Sequence, residues 1–457
     1  MAYEHRPYDL LRRARRDPLP FRSRTVPAVL RLRFPIIPRL PLVPDVLHRC
    51  EVPRDLASVT TRGAEVDPAA VGLSSEDVEA IWRSVTNLYR SGIHPAISVC
   101  LRRHGQVVLD RAIGHSHGNG PAARPGEARR LATPDTPFVL YSATKAVTAM
   151  VVHLLDQRGE LHIGDRVCDY IPAFGAGGKD AITIGHVLSH RAGVPSVPKE
   201  AMDLDNLGDR ELIVRLLSDA KLTSRPGRSL AYHAVSGGFI LGEVVQRVTG
   251  RSIADVLRSD ILDPLGFRWM GYGVGPQDLD QVATDHATGF PVVPPISWLM
   301  ERALGMPFDK VVDAGNDPRL RTGVIPAGNG VATANELSRF YELLRCNGEL
   351  DGVRIFEPRT IRRSITEQSY HEIDLTLGLP QRFSLGFMLG SKVLSLFGPD
   401  TESAFGHLGF TNIIGWADPD RALSGAVLTS GKPVLYPEVF VLLGLMRTIG
   451  KRCPKVA

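Results

Sequence analysis

The sequence predicts an α+β fold in which an antiparallel β-sheet is flanked by helices and joined to a helical subdomain. Segments with β-strand composition occur at both ends of the main domain: AISVCLRR and QVVLDRAIG first, then FSLGFMLGS, NIIGWAD and ALSGAVLTS. Tight turns link neighbouring strands, as is typical of antiparallel pairing. Residues from about 141 to 270 have mainly helical spacing, which differs from the strand–helix alternation of a parallel sheet.

The composition is that of a globular protein with a large core, because 43% of the 457 residues are hydrophobic and 23% are charged. The formal net charge of +5 is small for this length, so we expect no nucleic-acid partner. The five cysteines include no CxxC pair, which argues against a zinc site and favours a reducing compartment. Twin arginines near the N-terminus precede no unbroken apolar segment of the kind an export signal requires. We therefore expect a cytoplasmic protein.

Two regions are expected along the chain. Residues 1–74 form an N-terminal extension rich in Arg and Pro, in which the prolines prevent a long helix. This extension is predicted to lie as a strap over the main domain or to contact a membrane surface through its Arg and apolar side chains. Residues 75–450 form the main domain, with a sheet part at about 75–140 and 335–450 and a mainly helical part at about 141–334.

Local signals predict individual elements in chain order. A cap-like SSEDVE opens a helix at about 75–90, and a hairpin turns at His104 and Gly105. The segment ANELSRFYELLRC has helical spacing, and a final helix covers about 437–449. Residues from about 276 to 325 contain PVVPPISWLM and are too long for an ordinary loop, so we predict a lid or a pocket wall there.

The pattern Ser-x-x-Lys, one helical turn long, occurs three times: Ser142/Lys145, Ser196/Lys199 and Ser218/Lys221. Pro198 interrupts the second pair, and the third pair ends an amphipathic helix. Only YSATK is followed by a long apolar helix, AVTAMVVHLLDQRG. Ser142 is therefore predicted to open a core helix, with Lys145 on the same face. A Lys in apolar surroundings gives up its proton more readily and can accept one from a serine hydroxyl.

Two further motifs complete the predicted site. Tyr232, in AYHA, precedes an apolar helix and could relay a proton between the nucleophile and the leaving group. His407 and Gly409 begin a predicted strand, where the missing side chain of Gly409 would let a substrate approach the backbone. The N–H groups of Phe410 and Ser142 could then stabilise an oxyanion, and His407 could contact substrate.

In this order, YSATK, AYHA and HLG resemble the motifs of the serine β-lactamase and penicillin-binding-protein superfamily. They resemble most closely those of class C-like esterases of the family VIII type. The resemblance covers about residues 75–450 and includes HVLSHRAGVP, LDPLGF and PAGNGVATANELSRFYELL. It implies a β-lactamase-like fold, an acyl-enzyme on Ser142, Tyr232 as a second catalytic group, and no metal or cofactor.

Two departures from the class C β-lactamases bear on the substrate. Ala234 stands where their Tyr-x-Asn motif has an amide that holds the lactam side chain, and His407 stands where they have Lys. Both changes favour an ester over a lactam, so we predict a serine hydrolase of small-molecule esters. The apolar insert around Trp298 further favours acyl chains. The alternatives are a weak β-lactamase, D-peptidase or acyltransferase, and a binding protein that keeps the fold. The choice of Lys145 or Tyr232 as general base is open.

The sequence lacks the motifs of other catalytic and binding sites. The sequence contains no Gly-x-Ser-x-Gly elbow and no Gly-x-x-x-x-Gly-Lys loop for phosphates. His186 and His190 are four positions apart but lack the Glu of His-Glu-x-x-His and a third ligand. We expect these two histidines, and likewise His115 and His117, to be structural.

Overall fold

The computed structural model describes residues 47–456, except residues 207, 305 and 435–437. The described residues all belong to one compact unit, Arg39–Ala457. The earlier part of the predicted extension lies outside them, so the expected strap or membrane contact of that part stays a prediction.

The strands are numbered in chain order. They are β1 Thr60–Arg62, β2 Ala96–Arg103, β3 Gln106–His117, β4 Arg130–Leu131, β5 Phe138–Val139, β6 Gly271–Tyr272, β7 His286–Ala287, β8 Gly330–Ala332, β9 Glu349–Leu350, β10 Val353–Arg354, β11 Ser369–Ile373, β12 Pro380–Phe383, β13 Met388–Leu389, β14 Phe405–Gly409, β15 Ile413–Asp418, β16 Leu423–Thr429 and β17 Gly431–Lys432.

The α-helices are numbered in the same way. They are α1 Ser75–Tyr89, α2 Thr144–Arg158, α3 Val167–Tyr170, α4 Ile184–Leu188, α5 Arg210–Asp219, α6 Ser236–Thr249, α7 Ile253–Leu257, α8 Ile296–Leu304, α9 Phe308–Asn316, α10 Pro318–Thr322, α11 Ala334–Arg345, α12 Pro358–Ser364 and α13 Glu438–Arg452.

A ten-stranded antiparallel sheet forms the centre of the fold, as the sequence predicts. Its strand order is β1-β3-β2-β16-β15-β14-β13-β12-β11, with β4 paired to β3. The strands come from both ends of the domain and meet where β2 pairs with β16. The helical part of the chain is inserted between these two sets of strands.

Helices cover both faces of the sheet. The side chains of β2, which point alternately to the two faces, explain why. Ile97, Val99 and Leu101 point to one face, where they join the core under α1 and α13. Ala96 and Cys100 point to the other face, where α11 packs on β2, β15 and β16. Side chains alternate along a strand, so each face of the sheet acquires its own apolar layer.

The hairpin between β2 and β3 forms where it is predicted. His104 and Gly105 both have positive φ, 50° and 82°. This backbone matches a two-residue turn whose twist suits antiparallel strands, and glycine adopts it without a steric cost. The predicted first helix is confirmed as α1, with a capping box between Ser74 and Asp77.

The predicted boundary at residue 74 is wrong, because residues 47–74 include part of the sheet. Thr60–Arg62 pairs with β3 as an edge strand. Glu65 accepts hydrogen bonds from the buried Arg111 on β3 at 2.7 and 2.8 Å. A three-residue strand carries too little pattern to be found in sequence, which explains the error.

The helical part places α2 at its centre, since twelve of its fifteen residues are buried. The contacts of α2 include α6, α7 and α12, and its N-terminal end lies beside β14. This part of the chain also contains short strands, and β5, β8 and β6 form a separate three-stranded sheet. Within the described part of the chain, no helix is long and apolar enough to cross a membrane.

Candidate active site

Ser142 lies at the N-terminal end of α2, in a 3-10 turn formed by Tyr141–Ala143. Helix α2 itself begins at Thr144, so the prediction that Ser142 opens the helix is wrong by two residues. The turn is preceded by no regular helix, because the backbone of Tyr141 is left-handed, with a φ of 48°.

The turn Tyr141–Ala143, called the nucleophile turn after the role predicted for Ser142, is held at both ends by β8. The N–H of Leu140 donates to the carbonyl of Gly330 at 2.7 Å, and the N–H of Gly330 donates to the Thr144 hydroxyl at 2.9 Å. A Cβ on Gly330 would lie 2.6 Å from that hydroxyl oxygen, so glycine is required for this approach. Ser142 remains partly exposed between these contacts.

Lys145 lies directly behind Ser142, as predicted. Its ammonium nitrogen donates to Ser142 Oγ at 3.1 Å and to the carbonyl of Ala327 at 2.9 Å. Burial of this amine lowers the pKa of Lys145 to about 7. A substantial fraction of Lys145 is therefore neutral near pH 7 and able to accept a proton.

The other two Ser-x-x-Lys matches have different surroundings. The Ser218 hydroxyl donates to the carbonyl of Val214 inside α5, and α5 ends at Asp219, before Lys221. Lys199 begins a 3-10 helix, Lys199–Met202, that leaves Ser196 outside. In the first match, by contrast, Lys145 lies on the buried helix α2 and donates to Ser142.

Tyr232 completes the group in the loop before α6. The ammonium nitrogen of Lys145 lies 4.9 Å from the centre of the Tyr232 ring. Burial raises the pKa of the Tyr232 phenol well above its usual value, although a hydrogen bond with Ser142 acts in the opposite direction. The phenol is therefore protonated near neutral pH and is suited to donate a proton.

Asp374 holds Tyr232 in place, although no sequence motif pointed to this residue. Its Oδ1 accepts hydrogen bonds from the backbone N–H of Tyr232 at 3.1 Å, of Thr376 at 2.8 Å and of Leu377 at 2.9 Å. The last two bonds are those of an Asp at the start of a turn, which DLTLG could have indicated. The link to Tyr232 joins distant parts of the chain and has no local signal.

Three buried histidines surround Tyr232. The ring of His190 lies 4.6 Å from that of Tyr232 and the ring of His407 lies 6.4 Å away. His190 Nδ1 accepts the backbone N–H of His233 at 3.2 Å, so His190 has a structural role, as expected, but it lies within the site. Burial lowers the pKa of His407 to about 3 and that of His233 to about 4. His407 is therefore neutral and supplies no fixed positive charge.

The remaining predicted histidines lie elsewhere. His186 Nδ1 accepts the backbone N–H of Thr183 at the start of α4. His115 and His117 lie on β3, next to the short strand β4. No group of three or more His, Cys, Asp or Glu side chains among the described residues could hold a metal ion.

Gly409 allows a close approach, but to the protein itself. A Cβ at this position would lie 2.3 Å from the carbonyl oxygen of Leu140. The missing side chain thus lets β14 pack directly against the nucleophile turn, whereas the sequence suggested room for substrate. Phe410 follows at the end of β14, and its ring lies 5.1 Å from that of Tyr141. The pairing of the Phe410 and Ser142 N–H groups as oxyanion donors stays a prediction.

The insert at about 276–325 forms a wall of the site through α9. The ring of Phe308 lies 5.2 Å from that of Phe410. A Cβ on Gly315 would lie 2.0 Å from the Tyr141 hydroxyl, so α9 touches the nucleophile turn directly. Trp298, on α8, is 67% exposed. Phe308 is therefore an aromatic residue of the insert that adjoins the site.

A family model described as Beta-lactamase matches residues 83–438. The chain belongs to the beta-lactamase family. Its relatives include LipL of Mycobacterium tuberculosis, named an esterase/beta-lactamase, which is 30% identical over 311 residues, or 64% of this chain and 69% of LipL. Esterase EstB of Burkholderia gladioli is 30% identical over 227 residues, or 46% of this chain and 55% of EstB.

Solved structures of related proteins superpose on the fold of this chain. A penicillin-binding-protein homologue from Caulobacter crescentus superposes with a TM-score of 0.71 at 27% identity, covering 83% of this chain and 99% of its own. A family VIII carboxylesterase superposes with a TM-score of 0.70 at 26% identity, covering 84% and 99%. The predicted family and fold class are confirmed.

This beta-lactamase family member differs from the class C motifs at the two predicted positions, Ala234 and His407. Ala234 has no polar group to bind an amide side chain, and it packs among apolar residues next to the core under α1 and α13. His407 is buried, and its Nδ1 donates to the carbonyl of Leu408 at 2.7 Å. Neither position supplies the amide or the cation that holds a lactam in the class C enzymes.

Proposed function

We propose that the protein hydrolyses carboxylic esters through an acyl-enzyme on Ser142. The observation that carries this proposal is the contact between the Ser142 hydroxyl and Lys145, a buried amine with a pKa of about 7. A serine hydroxyl is a weak nucleophile unless a neighbouring base removes its proton, and Lys145 is positioned to do so. The esterases among its relatives support the same activity.

In the first half of the reaction, Ser142 Oγ bonds to the ester carbonyl carbon while its proton passes to the neutral Lys145. The tetrahedral oxyanion accepts hydrogen bonds from the N–H groups of Ser142 and Phe410. The carbon–oxygen bond to the alcohol then breaks, and the alcohol oxygen takes the phenol proton of Tyr232. The lowered pKa of Lys145 and the raised pKa of Tyr232 support Lys145 as the base and Tyr232 as the acid.

In the second half, water hydrolyses the acyl-enzyme. The proton that Lys145 took from Ser142 passes to the Tyr232 phenolate, which restores the phenol and the neutral amine. Water then gives a proton to Lys145 as its oxygen bonds to the acyl carbon, and that proton returns to Ser142 Oγ when the acid leaves. The protein thus needs only its own groups and water for a complete cycle.

An ester without a carboxylate beside its reacting carbon fits this site better than a lactam or a D-peptide. Recognition of such a carboxylate requires a cation or several donors. His407 is neutral, because burial lowers its pKa to about 3, and Ala234 offers no donor. The apolar side chains of Phe308 and Phe410 beside the nucleophile turn instead suit an acyl chain.

Replacing Ser142 by Ala is expected to abolish hydrolysis of p-nitrophenyl esters and labelling by a fluorophosphonate. Ser218→Ala is the matched control, since Ser218 belongs to another Ser-x-x-Lys pair and bonds within α5. That variant is expected to keep full activity and labelling. Hydrolysis by Ser142→Ala at the wild-type rate would disprove the nucleophile. A wild-type protein that neither reacts with the probe nor hydrolyses esters would favour a binding protein, and turnover of nitrocefin above that of esters would favour a β-lactamase.

A further inference from the structure

Tyr141, the residue before the nucleophile, has a backbone conformation that its side chain disfavours. Its φ of 48° lies in the left-handed region. For a non-glycine residue this region costs about 1 kcal/mol or more and persists only when surrounding contacts enforce it. This left-handed residue sets the direction in which the chain enters the turn that carries Ser142. Whatever holds Tyr141 therefore also sets the position of the Ser142 hydroxyl.

The side chain of Tyr141 is bound to a buried pair of charges. Its hydroxyl donates to Asp285 Oδ2 at 2.8 Å, and Asp285 Oδ1 lies 3.2 Å from the ammonium nitrogen of Lys432. The side chains of Asp285 and Lys432 are only 2% and 0% exposed. The same ammonium nitrogen lies 5.1 Å from the centre of the Tyr141 ring. The three side chains thus contact one another in all three pairings.

Asp285 is itself fixed to the insert. The N–H of Asp285 donates to Asn316 Oδ1 at 2.9 Å, and Asn316 Nδ2 donates to the carbonyl of Asp285 at 2.8 Å. Arg321, which is buried, donates to the same Asn316 oxygen at 2.8 Å and to the carbonyl of Ala283 at 2.8 Å. The acceptor for Tyr141 therefore belongs to a rigid polar cluster, with little freedom to follow a moving turn.

Lys432 is fixed from another part of the chain. It lies on β17, which follows β16 in the chain and pairs in parallel with β7 in a separate two-stranded sheet. Its ammonium nitrogen also donates to the carbonyl of Thr429, the last residue of β16, at 2.5 Å. The cluster consequently joins the nucleophile turn, the insert and the end of the sheet. Tyr141 also packs against Phe410, so its position affects the predicted second oxyanion donor.

A buried ion pair is a poor source of stability. Removing two charges from water costs several kcal/mol per ion, which their attraction offsets only when geometry and additional hydrogen bonds are good. A pair of apolar side chains would fill the same space at a lower cost. The geometry instead fits a role in orientation, because a charged acceptor holds a hydroxyl more firmly than a neutral one.

We propose that Tyr141 is a positioning residue for Ser142, held in its left-handed conformation by Asp285 with Lys432 as the counter-ion. This inference rests on the proposed function of Ser142 as nucleophile. It goes further because it assigns a role in catalysis to three residues that do not touch the reacting atoms. A displacement of about 1 Å at a nucleophile can cost about a hundredfold in rate, so a loosened turn is expected to lower kcat.

The test is Tyr141→Phe, which keeps the ring and removes only the hydroxyl. We expect kcat for p-nitrophenyl esters and the rate of fluorophosphonate labelling of Ser142 to fall together, by about ten- to a hundredfold. We expect KM to change by less than about threefold, because the pocket walls remain. Tyr170→Phe is the matched control, because its hydroxyl also donates to an aspartate, Asp165 Oδ2 at 2.6 Å, in a partly buried part of the helical region. A general loss of packing or stability would affect both variants.

The double variant Asp285→Asn/Lys432→Met removes both charges and retains an amide oxygen as acceptor for Tyr141. We expect its kcat to exceed that of Tyr141→Phe by at least about threefold, because the hydrogen bond is kept. A kcat of Tyr141→Phe equal to that of Tyr170→Phe, or a double variant with a kcat no higher than that of Tyr141→Phe, would overturn the inference. Loss of the proposed function would appear differently, as wild-type activity in Ser142→Ala.

Discussion

At the scale of one residue, burial of Lys145 lowers the stability of the folded protein and makes the amine a better proton acceptor. Burial lowers its pKa from 10.5 to about 7. Between these two values the unfolded chain holds a proton that the folded protein does not. Stability therefore rises with pH across this window, and at lower pH the folded state must hold a buried charge. The same shift makes Lys145 a base at neutral pH, which an exposed Lys is not.

The protonation of Lys145 sets the pH dependence expected for the enzyme. Below about pH 7 the amine is charged and cannot take the Ser142 proton, so kcat/KM is expected to fall about tenfold per pH unit. A pH profile of ester hydrolysis measures this, with half-maximal kcat/KM near pH 7. Lys145→Met is the control, expected to be inactive at every pH yet to unfold at a denaturant concentration no lower than the wild type. A profile that stays flat between pH 5 and pH 8 would contradict the assignment of Lys145 as base.

Ser142, Lys145 and Tyr232 were predictable because each belongs to a short motif whose order along the chain is informative. Lys145 is one helical turn from Ser142, and Tyr232 precedes a helix with an apolar face. Asp285 and Tyr141, by contrast, are 144 positions apart and pair through tertiary structure alone. The left-handed φ of Tyr141 is equally invisible in the sequence, because aromatic residues rarely adopt it.

At the scale of elements, short and irregular segments account for most of the differences. Long periodic segments such as α1, α11 and the β2–β3 hairpin form where the sequence predicts them. The edge strand β1, with three residues, has no such period. The insert was predicted as a lid or a pocket wall from its length, and α9 does line the site. Its aromatic contact is made by Phe308, whereas the sequence drew attention to the more conspicuous Trp298.

The wall that α9 forms beside the site includes Phe308. Phe308 is buried against Phe410, so Phe308→Ala removes apolar surface next to the nucleophile turn. We expect the gain in kcat/KM from acetate to longer-chain p-nitrophenyl esters to decrease by about tenfold, which corresponds to roughly 1.4 kcal/mol of lost contact with the acyl chain. Trp298→Ala is the control from the same insert, expected to leave the chain-length dependence of dissolved esters unchanged. An unaltered dependence in Phe308→Ala would remove α9 from the acyl-binding surface.

At the scale of the whole molecule, the sheet is assembled from segments that are distant in the chain. The strands from the two ends of the domain meet at the pairing of β2 with β16, and the edge strand on the N-terminal side is β1. Residues 47–74 close this side of the sheet, since Val59, Val71 and Leu73 are buried in the core under α1. The catalytic domain therefore begins well before residue 75, and the compact unit that contains it is Arg39–Ala457.

This arrangement predicts a sharp difference between two truncations. A chain starting at residue 75 lacks β1 and Glu65, which leaves the Arg111 side chain, 3% exposed, with Glu79 as its remaining ion-pair partner. Removing one partner from a buried ion pair costs about 3–5 kcal/mol, and the lost apolar contacts add to it.

A chain starting at residue 47 keeps these contacts. We expect it to unfold in urea at a clearly higher concentration than the chain starting at 75, and to hydrolyse esters with a kcat within about twofold of the full chain. Glu65→Gln in the full chain isolates the ion pair, and we expect it to lose part of the same stability. If the chain starting at 75 were as stable as the one starting at 47, residues 47–74 would be a dispensable strap, and β1 would contribute nothing to the sheet it closes.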